Sequence, residues 1–308
     1  MEIIRNIAII FTSIFFESLP FLLLGSLISA IIETFVSNET IVKIIPKNKV
    51  LGSLVGVFLG FFLPACDCAV IPVSKRLLKK KVPVNVAISF MLSSPIINPV
   101  VLLSTYYAFY RTDKSIFFAR IILGILVALI IGVIVGLIYD KKEVVKEDND
   151  EEDEECSCCS FSENCVHEHH HHLEENKLLK IIKHTSFDMF DVVKYLCLGA
   201  LIASLVQVLM PKSMILAFNN SKVLSIIVLM LFAYLISLCS TSDSFVGKSL
   251  MASFSKGSII AYLLLGPMID IKNTFVLLGN FKKRFTITLI LLIFIVIFIS
   301  SILVVNIL

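Results

Sequence analysis

The feature that most constrains this chain is a set of uncharged apolar runs, each long enough to cross a lipid bilayer. From Phe285 to Leu308 there is no ionised side chain, and a crossing helix needs about 20 apolar residues. Hydrocarbon offers the backbone no hydrogen-bond partner, so only helices and closed barrels span it. The runs lack the period-two alternation of barrel strands. The sequence therefore predicts an all-α integral membrane protein.

Eight apolar runs predict about eight transmembrane helices. They lie near 7–33, 50–73, 82–109, 115–139, 189–210, 222–245, 257–280 and 285–307. Of the 308 residues, 57% are hydrophobic and 17% are charged, which is more apolar surface than one soluble core can bury. The net charge of +3 gives no indication of nucleic-acid binding. The lipid bilayer is thus the predicted partner, and the oligomeric state stays open.

The two halves of the chain resemble each other. The matched positions, at offsets of 172 to 174, are Glu17 and Asp191, Gly25 and Gly199, Cys66 and Cys239, and Pro95 and Pro267. A nearly constant offset across such positions favours duplication over chance similarity of apolar sequence. We expect a four-helix membrane repeat at 1–139, a second at 189–308, and a loop at 140–188 between them. Four spans per repeat make the two halves parallel. A re-entrant hairpin would change the number of crossings per repeat, and with it the relative orientation of the halves.

A proline-bounded stretch, Pro64-Ala-Cys66-Asp67-Cys68-Ala-Val-Ile-Pro72, interrupts the second apolar run. Each proline removes a backbone donor and disfavours helix in the residue before it. On a helix, Cys66 and Cys68 would lie on different faces, whereas in an unwound stretch both can coordinate one ion. Asp67 is costly in lipid and is expected to face protein or water. Since thiolates select soft ions such as Cu(I) and also bind Zn(II), we interpret this stretch as a substrate site rather than packing.

Three further polar stretches interrupt apolar runs, at 93–99 in the first half and at 239–244 and 266–270 in the second. Broken helices free backbone groups that neighbours, water or cargo must satisfy. Broken helices that are paired between halves and lie near the midplane indicate a substrate site, with packing kinks as the alternative. The candidate substrate residues are Cys66, Asp67, Cys68, Ser93, Ser94, Asn98, Cys239, Ser240, Thr241, Asp243 and Asp270.

Together, Pro-x-Cys-x-Cys-x₃-Pro, the basic loop that begins at Lys75, and Ser-Ser-Pro-x-x-Asn resemble the predicted permease family containing the organoarsenical efflux permeases, the ArsP-like family. The resemblance covers both membrane halves, with weaker motifs in the second. It implies a multi-spanning efflux permease whose cargo is handled by Cys66 and Cys68. This chain is similar to a branch with a His/Cys-rich cytoplasmic insert that is associated with copper and zinc efflux. Asp67 departs from the family pattern, in which a small residue is common.

The loop at 140–188 concentrates potential metal ligands behind an acidic run from Glu143 to Glu155. The ligands are Cys156, Cys158, Cys159, Cys165, His167, His169, His170, His171 and His172. Such a stretch cannot build a core, but thiolate and imidazole bind Zn(II), Cu(I) and Ni(II). We expect this loop to bind zinc or copper ions as a flexible chelator, with no other tightly bound cofactor.

The distribution of Lys and Arg predicts the orientation in the membrane. The basic cluster from Lys75 to Lys81 favours its side as cytoplasmic. With eight crossings, both termini and residues 140–188 share that side, while the segment at 281–284 lies opposite. The sequence thus predicts a multi-pass protein of the cell membrane with cytoplasmic termini.

The leading hypothesis is a permease, not an enzyme, that exports a thiol-seeking metal or metalloid such as copper, zinc or an arsenical. The chain has no Gly-x₄-Gly-Lys-Ser/Thr phosphate loop, which argues against ATP hydrolysis. A proton or sodium gradient would act through Asp67, Asp243 or Asp270. The alternatives are a membrane thiol oxidoreductase that uses Cys66 and Cys68, disfavoured by their strained spacing, and a metal sensor, which lacks an evident output domain.

Overall fold

A computed structural model describes residues 2–35, 46, 48–62, 67–146, 177–209 and 221–307. The first half contains α1 (Glu2–Phe35), α2 (Lys49–Phe62), α3 (Asp67–Lys79), α4 (Val84–Ile97), α5 (Pro99–Phe109) and α6 (Lys114–Ile138). A short helix, α7 (Lys141–Val144), follows. The second half contains α8 (Lys177–Leu209), α9 (Lys222–Ile236), α10 (Ser242–Leu250), α11 (Lys256–Met268), α12 (Ile271–Asn280) and α13 (Lys283–Ile307). The prediction of an all-α membrane protein is confirmed.

Six segments of the described chain are long and apolar enough to cross a membrane, namely 3–31, 84–109, 114–138, 192–209, 256–280 and 283–305. The other two predicted spans, 50–73 and 222–245, are each divided into two shorter helices. A helix of 14 residues such as α2 is only about 21 Å long, whereas the hydrocarbon core is about 30 Å thick. The predicted count of eight crossings is therefore not confirmed, and the structure supports six.

Contacts at the helix ends show that α2 and α3 form a re-entrant hairpin. The Nζ atom of Lys49, at the start of α2, donates to the carbonyl of Gly136 at 2.9 Å. The Nζ atom of Lys141 donates to the carbonyl of Lys79, the last residue of α3, at 3.1 Å. Because Gly136 and Lys141 are close neighbours in the chain, both arms of the hairpin end on the same face of the bundle, which we call end one.

The bundle face on which the loop begins also receives the α12–α13 turn. Val145 forms an antiparallel bridge with Phe281, and Lys146 Nζ donates to the carbonyl of Leu278 at 2.6 Å. Residues 145–146 and 281 thus both lie at end one. The prediction that 281–284 faces away from the start of the 140–188 loop is wrong, because each half crosses the membrane an odd number of times.

The opposite face of the bundle, end two, is marked by an ion pair between the halves. Lys256 Nζ lies 2.8 Å from a carboxylate oxygen of Asp113, and hydrogen bonds from Lys256 and Ser115 lower the pKa of Asp113. Gly257 contacts Val305 near the end of α13. The C-terminal part of α13 therefore lies opposite Lys146, which corrects the prediction that the C-terminus shares a side with the loop.

The two halves run in opposite directions. The broken helix α4–α5 runs from end one to end two, whereas its counterpart α11–α12 runs from end two to end one. The α9–α10 hairpin begins at end two, because α9 packs along α11 and α10 is followed directly by Lys256. Both halves show one order: a long helix, a hairpin, a broken helix and a long helix. Duplication stays a prediction, but the arrangement is inverted rather than parallel.

Small residues bring α2 against the central helix α4. Gly56 of α2 faces the carbonyl of Val86 so closely that a Cβ atom there has no space, and Gly52 and Gly60 make similar approaches to Asn85 and Ser93. Glycine at every fourth position presents one smooth face of a helix. The hairpin is therefore held by backbone contact with α4, and residues 84–97 are buried throughout.

Candidate functional site

Four helices begin inside the bundle instead of at its ends, namely α3, α5, α10 and α12. Each hairpin contributes its second helix to the other half: α3 packs against α12, and α10 packs against α5. Because a helix N-terminus carries a partial positive charge, acidic groups are stabilised there. The first turns of α3 and α10 contain Asp67 and Asp243, and Asp270 caps α12 by accepting from the Asn273 amide at 2.6 Å.

A buried lysine lies between carboxylates of the two halves. Lys272 Nζ is 3.8 Å from Asp67 Oδ2 and 3.6 Å from Asp270 Oδ2. Asn273 Nδ2 donates to Asp67 Oδ2 at 3.4 Å. All four side chains are buried, so we call Asp67, Asp270, Lys272 and Asn273 the carboxylate–lysine cluster. Buried charges persist only when they are paired, and this pairing joins the halves.

The carboxylate–lysine cluster contains more acceptors than the described donors satisfy. Asp67 Oδ1 and Asn273 Oδ1 are buried and have no hydrogen-bond partner among the described residues. Two carboxylates share one ammonium, so the cluster carries one excess negative charge when all three groups are ionised. An arrangement with spare oxygen atoms and excess negative charge is suited to a cation.

A small cavity of about 20 Å³ adjoins the cluster. Its polar lining comes from Glu17, Ser18, Asp67, Cys68, Ser237, Cys239 and Lys272. Cys68 Sγ lies 3.9 Å from Ser18 Oγ, and Cys239 Sγ lies 3.4 Å from Thr241 Oγ1. A cavity of this size accommodates one water molecule or a small ion. It therefore brings thiols from both halves to one small space beside Asp67.

The link between α9 and α10 adopts a special conformation next to this cavity. Ser237 caps α9 with a φ of 54°, in the left-handed region. Its hydroxyl accepts a hydrogen bond from the Lys272 amide at 3.3 Å. The left-handed conformation is unfavourable for serine. The hydrogen bond to α12 stabilises the α9–α10 link in this conformation. Cys239 follows two residues later and is held at the cavity wall.

A second polar cluster is centred on Arg120, whose side chain is fully buried. Its NH1 atom donates to Thr105 Oγ1 and to Ser244 Oγ, each at 2.8 Å, and NH2 donates to the Ser240 carbonyl at 3.4 Å. The partners come from both halves, because α5 and α10 cross here. Arg120 thus joins the halves through neutral oxygen atoms.

Asp243 lies near Arg120 but forms no ion pair within 4.0 Å in the described part of the chain. Its Oδ1 atom accepts from the Tyr262 hydroxyl at 3.0 Å, while Oδ2 is buried without a hydrogen-bond partner. Gly266 faces Oδ2, and a Cβ atom there would lie 2.6 Å from it.

The remaining predicted site residues have packing contacts. Ser93 donates to the carbonyls of Val57 and Phe90, and Asn98 caps α5 by accepting from the Val100 amide. Ser94 lies against Gly60 of α2. Ser240 contributes its carbonyl to Arg120, and Thr241 contacts Cys239. Cys66 and the loop ligands Cys156 to His172 lie outside the described residues.

Two central residues, Arg120 and Lys272, are compatible on sequence alone with snorkelling to the membrane surface or with pairing to acids. Arg120 is a lone charge in the apolar run 115–139, and Lys272 follows Asp270 by two residues. Both turn out to be buried between the halves. A lone charge in the middle of an apolar run was the available signal. Tyr262 and Asn273 carried no comparable signal, because their roles depend on contacts between distant segments.

The described residues contain no group of three or more His, Cys, Asp or Glu side chains close enough to hold a metal ion. The cavity is lined by two thiols, Cys68 and Cys239, and two carboxylates, Glu17 and Asp67, without a closed set of ligands. A complete soft-metal site therefore requires a further ligand. Cys66, which precedes α3 directly, is the nearest candidate in the chain.

Six crossing helices, two inverted re-entrant hairpins and charged clusters at their meeting point define the class of multi-spanning membrane transport proteins. A family model described as a predicted permease, ArsP_1, matches residues 3–306. The chain therefore belongs to this predicted permease family, as its motifs indicated. No solved structure matches it.

Two curated relatives match most of the chain. It is 42% identical over 295 residues to the UPF0718 protein YcgR of Bacillus subtilis, covering 96% of this chain and 95% of the relative. It is 35% identical over 276 residues to a protein of Streptococcus mutans named as a putative two-component membrane permease complex subunit, covering 90% and 87%. These matches support a membrane transport role over the full length.

Proposed function

We propose that this chain is an efflux permease of the cell membrane that carries a thiol-seeking metal or metalloid, of the copper, zinc or arsenical class, out of the cytoplasm. The observation that carries the proposal is the cavity lined by Cys68 and Cys239 next to Asp67. Thiolates select soft ions.

In this proposal Cys66, Cys68 and Cys239 bind the cargo ion. Cys66 and Cys68 come from the first hairpin, and Cys239 comes from the second. Asp67 and Asp270 balance the positive charge of the ion, while Lys272 occupies the cluster in its absence. Because the ligands belong to both halves, a relative movement of the halves changes the coordination and releases the ion.

The proposal also assigns end one to the cytoplasm. The segments of end one, 35–49, 74–85, 140–188 and 281–284, carry three, five, six and three Lys and Arg residues. Those of end two, 1–6, 110–115, 211–222 and 246–257, carry one, two, two and two. The excess of Lys and Arg on one face is larger with six crossings than with eight. Because basic loops stay in the cytoplasm, end one is assigned to that side. The Cys/His-rich loop is then cytoplasmic and both termini lie outside, whereas eight crossings predicted cytoplasmic termini.

The loop supplies the cargo to the hairpin. Residues 145–146, at its start, are bound to the α12–α13 turn at end one. The ligands from Cys156 to His172 therefore begin ten residues from a fixed point on the same face as the open side of the α2–α3 hairpin. Chelation by these ligands raises the local concentration of ion at this entrance.

Transport by the reconstituted full-length chain tests the proposal. Inside-out vesicles are supplied with Zn(II), Cu(I) or arsenite, and Mg(II) serves as a hard-ion control. We expect at least one soft ion, but not Mg(II), to accumulate above the level of protein-free vesicles. Folded protein that accumulates none of the three contradicts the proposal. Ion movement also distinguishes a permease from a thiol oxidoreductase or a sensor.

A further inference from the structure

The three acids that sequence analysis offered as carriers of a coupling ion have different surroundings. Asp67 and Asp270 share Lys272, whose Nζ atom lies within 4.0 Å of both. Asp243 has no such cation in the described part of the chain, and its Oδ2 atom has no hydrogen-bond partner there. Since an unpaired carboxylate in a low-dielectric interior is very costly, Asp243 is the acid that requires another positive charge.

We propose that Asp243 is the proton-coupling site of this transporter, with the proton bound to Oδ2, and that it is separate from the cargo site. The space at Oδ2 is created by Gly266, which has no side chain to fill it. The Tyr262 hydroxyl donates to the other oxygen, Oδ1, at 3.0 Å. The geometry thus leaves one oxygen for the proton and fixes the other.

Arg120 provides the second state of this site. In the described arrangement its NH groups donate to Thr105, Ser244 and the Ser240 carbonyl, while its Nε atom has no partner. Loss of the proton leaves a carboxylate that attracts the guanidinium. Arg120 then exchanges its hydroxyl partners for Asp243, so its contact to Thr105 of α5 breaks and its contact to α10 moves from Ser244 to Asp243. Proton binding and release at Oδ2 therefore switch contacts between the halves.

The other charged and titratable groups around Asp243 link it to the cargo. Tyr262 faces it from α11 and Arg120 faces it from α6, while α5 contributes the hydroxyls of Ser104 and Thr105. The charges of Asp67 and Asp270 also act on Asp243. A cation bound beside Asp67 and Asp270 cancels this negative potential, so the proton on Asp243 is held less tightly. The coupling is reciprocal, because each ligand weakens the other equally.

This inference rests on the proposed efflux of a cation, and it makes the protein an antiporter. One proton enters Asp243 from the outer side and leaves to the cytoplasm when the cargo ion binds. No bond other than the O–H bond of the carboxyl group forms or breaks. Mutual exclusion of two positive charges is sufficient to couple their opposite movements.

The proton site can be tested without any cargo. Infrared difference spectra of the full-length protein in lipid, recorded between acidic and alkaline pH, detect the carbonyl stretch of a protonated carboxylic acid. We expect this band in the wild type, its loss in Asp243→Asn, and its retention in Asp113→Asn, which alters an acid at end two. Tyr262→Phe removes the hydrogen bond to Oδ1 and should shift the band. A band unchanged in both Asp243→Asn and Tyr262→Phe overturns the proposal.

Coupling is measured separately with the cations Zn(II) and Cu(I) as probes. A pH gradient that is acidic on the outer face should increase wild-type transport several-fold, whereas Asp243→Asn should transport equally with and without the gradient. Gradient-dependent transport by Asp243→Asn overturns the proposal. If the wild type moves neither cation nor arsenite, the proposed efflux function fails, and the infrared band still decides whether Asp243 carries a proton.

Discussion

Lys272 holds together two acids from different halves of the molecule, and its removal should be costly. The Lys272→Met variant leaves Asp67 and Asp270 buried without their shared cation, which we expect to destabilise the protein by about 3–5 kcal/mol. Thermal unfolding in detergent measures the loss. Lys256→Met is the matched control, because the Lys256–Asp113 pair is partly exposed and solvent screening limits its contribution to about 1 kcal/mol or less. Equal effects of the two variants would contradict the account of the cluster.

Gly266 creates the space at Asp243 Oδ2, so the smallest added side chain should disturb it. Gly266→Ala places a methyl group 2.6 Å from that oxygen, and we expect about 1–3 kcal/mol of destabilisation from overpacking. The control is Gly247→Ala on α10, whose Cβ would meet only the flexible end of the Leu263 side chain at 3.0 Å. Thermal unfolding compares the two variants. A Gly266→Ala protein as stable as Gly247→Ala would show that the space at Oδ2 is not confined.

At the residue scale, the sequence indicated the acids but not their partners. Asp67, Asp243 and Asp270 were predictable because an acid in an apolar run must face protein or water. That Lys272 contacts Asp67 across the halves depends on the crossing of α3 and α12. No local pattern encodes such a contact. The polar stretch at 93–99 indicated a helix interruption, which lies at Asn98 between α4 and α5, but not the packing of Ser93 against α2.

At the element scale, the first hairpin gives the sharpest prediction. Its two arms, α2 and α3, both end at end one, so Lys49 and Lys80 should be accessible from one side of the membrane. Single-cysteine labelling at these positions, in a protein without other cysteines, should give reaction with a membrane-impermeant maleimide from the same side. Position 112, at end two, should react from the other side. Labelling of positions 49 and 80 from opposite sides would show that 50–73 crosses the membrane.

Hydropathy located the apolar elements but did not distinguish a segment that crosses the membrane from a re-entrant hairpin. The run 50–73 is long enough to span, and its prolines and Asp67 indicated an interruption. Whether a chain continues or reverses at an interruption depends on its tertiary contacts, here the glycine face of α2 on α4. The spacing of Gly52, Gly56 and Gly60 was a readable sign of that contact. One misjudged reversal in each half then changed the predicted sides of both termini relative to the 140–188 loop.

At the scale of the whole molecule, the Cys/His-rich loop is expected to serve capture rather than translocation. Deleting residues 147–176 keeps Val145 and Lys146 at their contacts with the α12–α13 turn. The variant should need several-fold more cytosolic ion for half-maximal export, with little change in the maximal rate. Titration of Zn(II), Cu(I) or arsenite against export measures both quantities. Loss of transport at every concentration would make the loop an obligatory step, and an unchanged curve would exclude it from transport.

The central claim is that the thiols of the first hairpin bind the exported ion. It is tested most directly by transport in sealed inside-out vesicles, with the soft ion that the wild type moves. Replacement of Cys66 and Cys68 by serine substitutes hard hydroxyls for soft sulfur ligands and should reduce transport at least tenfold in folded protein. Cys197→Ser, on α8 away from the cavity, should transport at the wild-type rate. Normal transport by the Cys66→Ser/Cys68→Ser protein would contradict the account.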